Sequence, residues 1–379
     1  MSSLKTKGLK TKKQGEFDLH WQGTLSDYVM AIAWSPDGKT LATSSAAGEV
    51  VLYQETKTFQ AMPFQGVPLQ VMNGDSVDCL AFSHDGQFLA AGGQNGQVHI
   101  WQVQSNLPEL IAPKLVATVG KTAAWVDRMA WSPTQNLLAF SLGKYVQVWD
   151  AKLGDVATTL NFDTSSALDL AWHPDGQRLS VSGYQGVKIW TAEDWDDDPY
   201  FLTIPSASVA IAWSPDGKYI ASGNLDRTMT VLEWENPHPW VMRGFPGKIR
   251  QLAWSNVMTK AGASLLASAS AEGIVVWEKQ EDLSLGWEGR VLAGHEGTVQ
   301  SIQFQPDALL FASAAADGRV CLWQKAQHLA QVLNGAPNGF SCLAWHPKGH
   351  QLAVGGQNGE LLIWAKVLRG KGFGQREKT

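Results

Sequence analysis

Three settings in the sequence hold side chains that could do chemistry. His346 and His350 flank Pro347-Lys348-Gly349, and two imidazoles held by one tight turn can share a divalent metal. No third ligand stands near them in sequence, and the plainer reading is a pair of solvent-exposed turn histidines. Asp194, Asp196, Asp197 and Asp198 surround Trp195 and could offer oxygens to Ca²⁺ or charge to a basic partner. The spacing and glycine of a calcium loop are missing, so a solvated loop is the plainer reading. Cys79, Cys321 and Cys342 sit among apolar residues, and an odd number in such settings argues against a disulfide framework and for a reducing compartment. Their structural and redox readings are separated by burial.

The spacings that carry common catalysis are missing: there is no G-x-x-x-x-G-K-[ST] phosphate loop, no C-x-x-C pair, no H-E-x-x-H and no G-x-S-x-G. The expectation is a protein that is not an enzyme, with no catalytic residue, metal, cofactor or small-molecule substrate.

The elements that would position any site come from a repeat. Ala212-Trp213-Ser214-Pro215-Asp216-Gly217 through Gly223 returns in eight versions. Aligned on the aromatic that closes the first strand, they fall at Trp34, Phe82, Trp131, Trp172, Trp213, Trp254, Phe304 and Trp345, at intervals of 48, 49, 41, 41, 41, 50 and 41 residues. An aliphatic residue precedes each aromatic by two positions, and the residue between is alanine except at Gln303. That is the period of a buried strand with a small residue where sheets pack closely. Turns such as Ser35-Pro36-Asp37-Gly38 then reverse the chain, because proline presets φ and glycine tolerates what other residues cannot.

Second strands such as Leu41 to Ser44 lead into tight turns such as Gln94-Asn95-Gly96, and third strands close on Tyr53, Trp101, Trp149, Trp190, Leu232, Trp277, Trp323 and Trp364. First and third strands together account for twelve of the 18 tryptophans. Outer strands are expected at Leu69 to Met72, Leu115 to Thr118, Val156 to Leu160, Tyr200 to Thr203, Trp240 to Met242, Arg290 to Leu292 and Ala330 to Leu333. No such strand follows Trp364, whereas Phe17 to Trp21 lies spare ahead of the first unit. An unpaired edge is an aggregation liability, so the N-terminal strand is expected to join the last blade and close a ring of eight.

With those marks in place the chain resembles the tryptophan-aspartate (WD) repeat β-propeller family over roughly residues 16 to 365. Gly294-His295, Ser313, Asp317 and Trp323 of the seventh unit are the residues that carry the likeness most fully. The resemblance implies an all-β, eight-bladed propeller of four-stranded antiparallel blades. It also implies a hydrogen-bonded network of His295, Ser313, Asp317 and Trp323 tying one blade together, and an interaction scaffold that presents one propeller face to a protein or peptide. The other units depart from the pattern: Ser222 and Asp226 of the fifth match Ser313 and Asp317, and Asn95 and Asn358 stand where aspartate would.

Tryptophans the repeat does not use point to a face. Trp125, followed by Asp127 and Arg128, leads into the third unit and is expected to share a face with Tyr184, Arg227, Phe245 and Arg250, since aromatics and arginine on a rigid rim make binding hot spots. Gap-filling between blades is the alternative role for these aromatics. Trp195, Trp234 and Trp287 are expected in loops on the opposite face.

Charge adds a second reading. Residues 1–15 carry five lysines and no acid, residues 366–379 a net +4, and against a total of −5 this leaves −14 on the body. Both ends are expected to be disordered basic tails. Through them the chain could be recruited to nucleic acid or to an anionic membrane surface. No apolar run approaches the roughly 18 residues of a membrane span, and Met1 to Gln14 lacks a signal peptide's apolar region, so a cytoplasmic protein is expected.

Overall fold

The computed structural model describes residues 16–55, 64–103, 113–120, 124–163, 165–236, 238–282 and 284–367. Among these residues the chain is all β: eight four-stranded antiparallel sheets arranged as the blades of a propeller. Blade 1 is Val29–Trp34, Thr40–Ser45, Val50–Glu55 and Phe64–Gln70, running from the inner strand outward. The inner strands of blades 2 to 7 are Cys79–Phe82, Met129–Trp131, Asp169–Trp172, Ser208–Trp213, Gln251–Met258 and Val299–Phe304. Blade 8 takes Phe340–Trp345, Gln351–Gly356 and Glu360–Lys366 from the C-terminal end and Phe17–Thr24 from the N-terminal end. Phe17 pairs with Lys366 and Thr24 with Glu360, so the outer strand runs the full length of the third and closes the ring. The two basic ends lie outside the described residues, apart from Lys366 and Val367.

The register explains the aromatic spacing. Trp34 sits opposite Leu41, and Leu41 opposite Tyr53, which places two rings on either side of a fully buried aliphatic residue; the same triplet recurs as Trp345, Leu352 and Trp364. The inner-strand indoles also reach across to the preceding blade. The Nε1–H groups of Trp34, Trp131, Trp172 and Trp254 donate to the carbonyls of Ala344, Ala81, Ala130 and Ala212 at 3.0–3.2 Å, and Trp345 does the same to Gln303 at 3.3 Å. Tryptophan is therefore used as an inter-blade staple, which a phenylalanine at that place cannot be. In four of these five staples the accepting carbonyl belongs to the alanine that precedes an aromatic, and in the fifth to Gln303.

The residue after the aromatic forms a second tie on the turn at the far end of the inner strand. In blades 1, 2 and 5 it is a serine that donates to the turn aspartate and accepts the amide five residues on, as Ser214 does with Asp216 at 2.6 Å and Tyr219 N at 2.9 Å. In blades 4 and 8 it is His173 or His346, whose Nε2 lies 3.1 Å from Gly217 O and 3.0 Å from Gly38 O in the next blade. Gln305 of blade 7 donates to Gly349 O in the same manner. His346 is thus a buried latch across the closing seam, where the sequence suggested a solvent-exposed turn residue; His350 alone is exposed. The His346 Nδ1 accepts from Lys348 N at 3.0 Å, so the His346 ring is neutral and its Nε2–H is the donor to Gly38 O.

Burial, with the His350 ring beside it, holds the His346 imidazole down to about 4 from an ordinary 6.5. Between those values the unfolded chain binds the extra proton, so this part of the stability is complete above pH 6.5 and is lost as pH falls toward 4. We expect a chemical-denaturation stability about 1 kcal/mol lower at pH 5 than at pH 7 from this group, a figure discounted for the solvent at the ring edge. His346→Gln, which keeps a donor for Gly38 O, should flatten that slope; an unaltered slope would assign the effect elsewhere.

In blade 7, Trp323 Nε1 donates to Ser313 Oγ at 2.9 Å, Ser313 Oγ lies 2.8 Å from His295 Nε2, and His295 Nδ1 lies 3.1 Å from Asp317 Oδ2. Burial alone would raise the Asp317 carboxyl, but the amides of Glu296 and Arg319 and the His295 ring hold it below the ordinary carboxylate range. Ser222 of blade 5 instead bonds Ser208 and Asn224, and Asp226 turns outward to cap Thr228. Because the blade 7 relay is buried, His295→Ala leaves Ser313 and Asp317 short of a partner; we expect a loss of about 1–3 kcal/mol in denaturant melts.

The cysteines belong to the packing. All three are free, and burial pushes the thiols up, to about 12 for Cys321 and Cys342. Cys79 Sγ lies 3.3 Å from Val126 O and Cys342 Sγ 3.6 Å from Val29 O, the same contact to the next blade at two points of the ring.

Candidate protein-binding face

Loops entering the inner strands and turns between second and third strands share one face of the disc and are knitted together there. Val126 N donates to Gly93 O, Ala167 N to Gly143 O, Tyr184 N to Ser165 Oγ and Leu225 N to Ala207 O, at 2.8–3.0 Å. These bonds hold Trp125 and Tyr184 with 56% and 52% of their surface exposed. Val126, fully buried, anchors the first. The second sits in a turn closed by Gly186, whose φ of 143° and approach to Leu202 O leave no room for a side chain. Arg227 and Arg250 are exposed on the same rim.

One expected member of this face is placed differently. Phe245 is buried in the blade 5–6 core, its ring 5.9 Å from that of Trp277, and offers nothing to a partner. Arg128 stays exposed on the rim while its Nε lies 3.3 Å from Asp169 Oδ1, and Asp169 Oδ2 accepts from Ile211 N at 2.9 Å, so one ion pair links blades 3, 4 and 5. Burial pushes the Asp169 carboxyl up against the opposing pull of Arg128. Asp127 remains exposed beside it. Asp78, just ahead of the inner strand of blade 2, is also pushed up by burial, with the Asp127 charge adding to the shift.

The face also holds apolar residues the repeat pattern concealed. The outer strand of blade 1 is Phe64–Gln70 rather than Leu69 to Met72, so Val71 and Met72 spill past it into the loop and are exposed. Tyr145 and Leu225 project from the turns of blades 3 and 5. With Trp125 and Tyr184 they form an apolar arc over blades 2 to 5, fringed by the exposed acids Asp75, Asp127 and Asp226. Over blades 6 to 8 the same rim is Pro246, Glu272, Glu296, Asn338 and Asn358.

On the opposite face Trp195 lies in the blade 4 loop, Trp234 just past the third strand of blade 5, and Trp287 at the head of the outer strand of blade 6 rather than in a loop. Among the described residues no three His, Cys, Asp or Glu side chains converge as a metal site requires, and no helix is long and apolar enough to cross a membrane.

The model of the WD domain, G-beta repeat, matches residues 13–54, 66–102, 154–191, 200–231, 286–324 and 327–365, more than half of the chain. The chain belongs to this family. Two WD blades escape the match, blade 3 with its shortened turn and blade 6 with its extended inner strand. Among curated relatives, rat apoptotic protease-activating factor 1 is 32% identical over 149 residues, which is 38% of this chain and 11% of that protein. Nuclear distribution protein nudF of Aspergillus niger is 25% identical over 149 residues, 38% of this chain and 32% of that one. The matches thus span a third or less of the relatives' own length. Among solved WD-like structures, Sqt1 from Chaetomium thermophilum aligns with a TM-score of 0.78 at 18% identity, covering 93% of this chain and 100% of that one. Sqt1 bound to the N-terminus of the ribosomal protein L10 aligns at 0.77 and 19%, with the same coverage. At that identity the likeness establishes the fold.

Proposed function

We propose that this WD-repeat propeller is a non-enzymatic interaction scaffold whose Trp125 face receives a protein or peptide. The observation that carries the reading is the exposed apolar arc, in which Trp125 and Tyr184 are held by backbone bonds on rigid turns. Anchors that lose little freedom on binding supply most of an interface's energy. Sqt1, which shares the fold, has been solved with a peptide segment of a ribosomal protein. Glu16 and Val367, the outermost described residues, meet on the opposite face, where Val367 N donates to Glu16 O at 2.9 Å.

The test compares partners retained from native lysate by the full chain and by Trp125→Ala with Tyr184→Ala, at low and high salt, followed by affinity measurement with each purified partner. A loss of at least about tenfold with an unchanged melting midpoint is expected of two hot-spot aromatics. Equal retention by both forms would move the contact surface elsewhere.

A further inference from the structure

The turn between second and third strands needs a residue in the left-handed conformation, and the sequence mostly supplies glycine. Gly48, Gly96, Gly318 and Gly359 take that place in blades 1, 2, 7 and 8, with φ between 71° and 93°. In blade 5 the same place is Arg227, at φ 66°. A side chain there is held at a conformational cost, and a residue kept in such a state marks a use for it. The surroundings leave the turn no other shape. Asn224, fully buried, donates through Nδ2 to the Oγ1 atoms of Thr228 and Thr230 at 3.0 and 3.1 Å. The Arg227 side chain takes no part in this and stands exposed.

Three more bases surround it. The loop from blade 5 to blade 6 runs Arg243-Gly244-Phe245-Pro246-Gly247-Lys248-Ile249-Arg250, with Phe245 and Ile249 as its buried pegs. Ile249 N donates to Asn224 O at 3.3 Å, against the Arg227 turn, and Gly247 N to Ser270 Oγ at 2.9 Å on the blade 6 side. Burial of the pegs leaves Lys248 and Arg250, on either side of Ile249, exposed, as is Arg243. Among the described residues none of these four bases is paired with a carboxylate, whereas Arg128, Arg178 and Arg319 each are. Against them in this corner stand Glu272 and Asp226, and Asp226 Oδ1 already caps Thr228. In a chain whose body is acidic, this corner of the Trp125 face is basic.

The neighbours decide the occupant. Leu225, 51% exposed, lies two residues before Arg227 on the same turn, and Tyr184 stands on the next turn around the rim. An occupant must therefore offer apolar side chains and negative charge together. Guanidinium forks match carboxylates, and the acidic body opposes a long polyanion such as nucleic acid. We infer that the protein segment received by the Trp125 face is acidic and amphipathic. Its apolar side chains lie along Tyr184 and Leu225, and its aspartate or glutamate carboxylates lie over Arg227, Lys248 and Arg250. Asp75 and Asp127 at the blade 2 end repel those carboxylates, which sets the direction of the segment across the face. This inference rests on the Trp125 face being the contact surface.

The test uses the full chain and a fluorescein-labelled peptide whose first half alternates leucine and serine and whose second half is glutamate, followed by anisotropy. The peptide binds, binding weakens with salt, and the counterpart with lysine for glutamate does not bind. Lys248→Glu with Arg250→Glu weakens binding at least about tenfold. Lys152→Glu with Lys260→Glu, an equal charge change at exposed residues of the opposite face, leaves the affinity as it was. Arg227→Gly should hold or raise the melting midpoint, since the equivalent turns use glycine, and still weaken the peptide at least about threefold. If the first double variant misfolds, Lys248→Gln with Arg250→Gln gives a smaller loss in the same direction. A loss in Trp125→Ala with Tyr184→Ala but in none of the base variants would overturn the acidic occupant and keep the face. No binding, preference for the lysine peptide, or tighter binding of a single-stranded oligonucleotide through the same bases would also overturn it, while the lysate comparison still judges the face on its own.

Discussion

A chain that begins at Leu25 is expected to lose its cooperative melting transition and to leave the monomer peak in size-exclusion chromatography. The strand it lacks serves two blades. Phe17, 1% exposed, packs edge-on against Trp345 at 5.5 Å, while Trp21 packs on Tyr53 and Phe64 of blade 1 at 5.2 and 5.3 Å. Removing two such rings costs about 6–10 kcal/mol on the scale of large-to-small core substitutions, which is comparable to the whole stability of a typical domain. Glu360–Lys366 is then left as a bare edge beside a split seam, open to pairing with other chains. A peptide spanning residues 16–24 should restore part of the transition when added in trans. A truncated chain that stays monomeric, with a midpoint within a few degrees of the intact one, would show that the seam is held by inner-strand contacts instead.

The second large effect is expected at Trp34, which lies on the same seam but acts through a different bond. Its ring contacts Phe64 and His346, and its Nε1–H reaches Ala344 O at 3.2 Å from a site 8% exposed. Trp34→Ala should lower unfolding free energy by about 3–5 kcal/mol. Trp34→Phe keeps most of the ring and forfeits the donor, so it should cost about 1 kcal/mol, with more lost if Ala344 O finds no water. Phe82, which occupies the equivalent place in blade 2, supplies the reverse comparison: Phe82→Trp is tolerated only if the ring can reach the carbonyl of Ala33. Denaturant titrations of the three variants separate ring burial from stapling, and equal losses for Ala and Phe at position 34 would assign the whole effect to the hydrogen bond.

The architecture could be read from residue types because both of its determinants are local. The alternation around Trp34, Leu41 and Tyr53 repeats eight times, and the missing strand after Trp364 with a spare one at Phe17 leaves few ways to finish the ring. The contacts that give the blades their order are not local. Ala344 is 310 residues from the indole it accepts, and Gly38 is 308 residues from His346. No neighbour of His346 distinguishes a latch from a surface turn residue. Phe245 and Trp125 also look alike in sequence, each an aromatic in a loop entering an inner strand. Only the presence of Trp277 beside one of them decides which is buried. Val71 and Met72 were concealed by the opposite error: two apolar residues continuing an apolar strand read as strand, whether or not a third strand is there to pair with them.

Glu16 and Val367 are joined by one backbone bond at the seam. A short linker could therefore splice the two extremities, and the covalent path could be cut at another exposed loop on the same side, such as the one carrying Asp196. Such a circular permutant would move the burden of sealing the ring from blade 8 to whichever blade carries the new cut. Comparing permutants would then rank the blades by how well each one withstands being the joint.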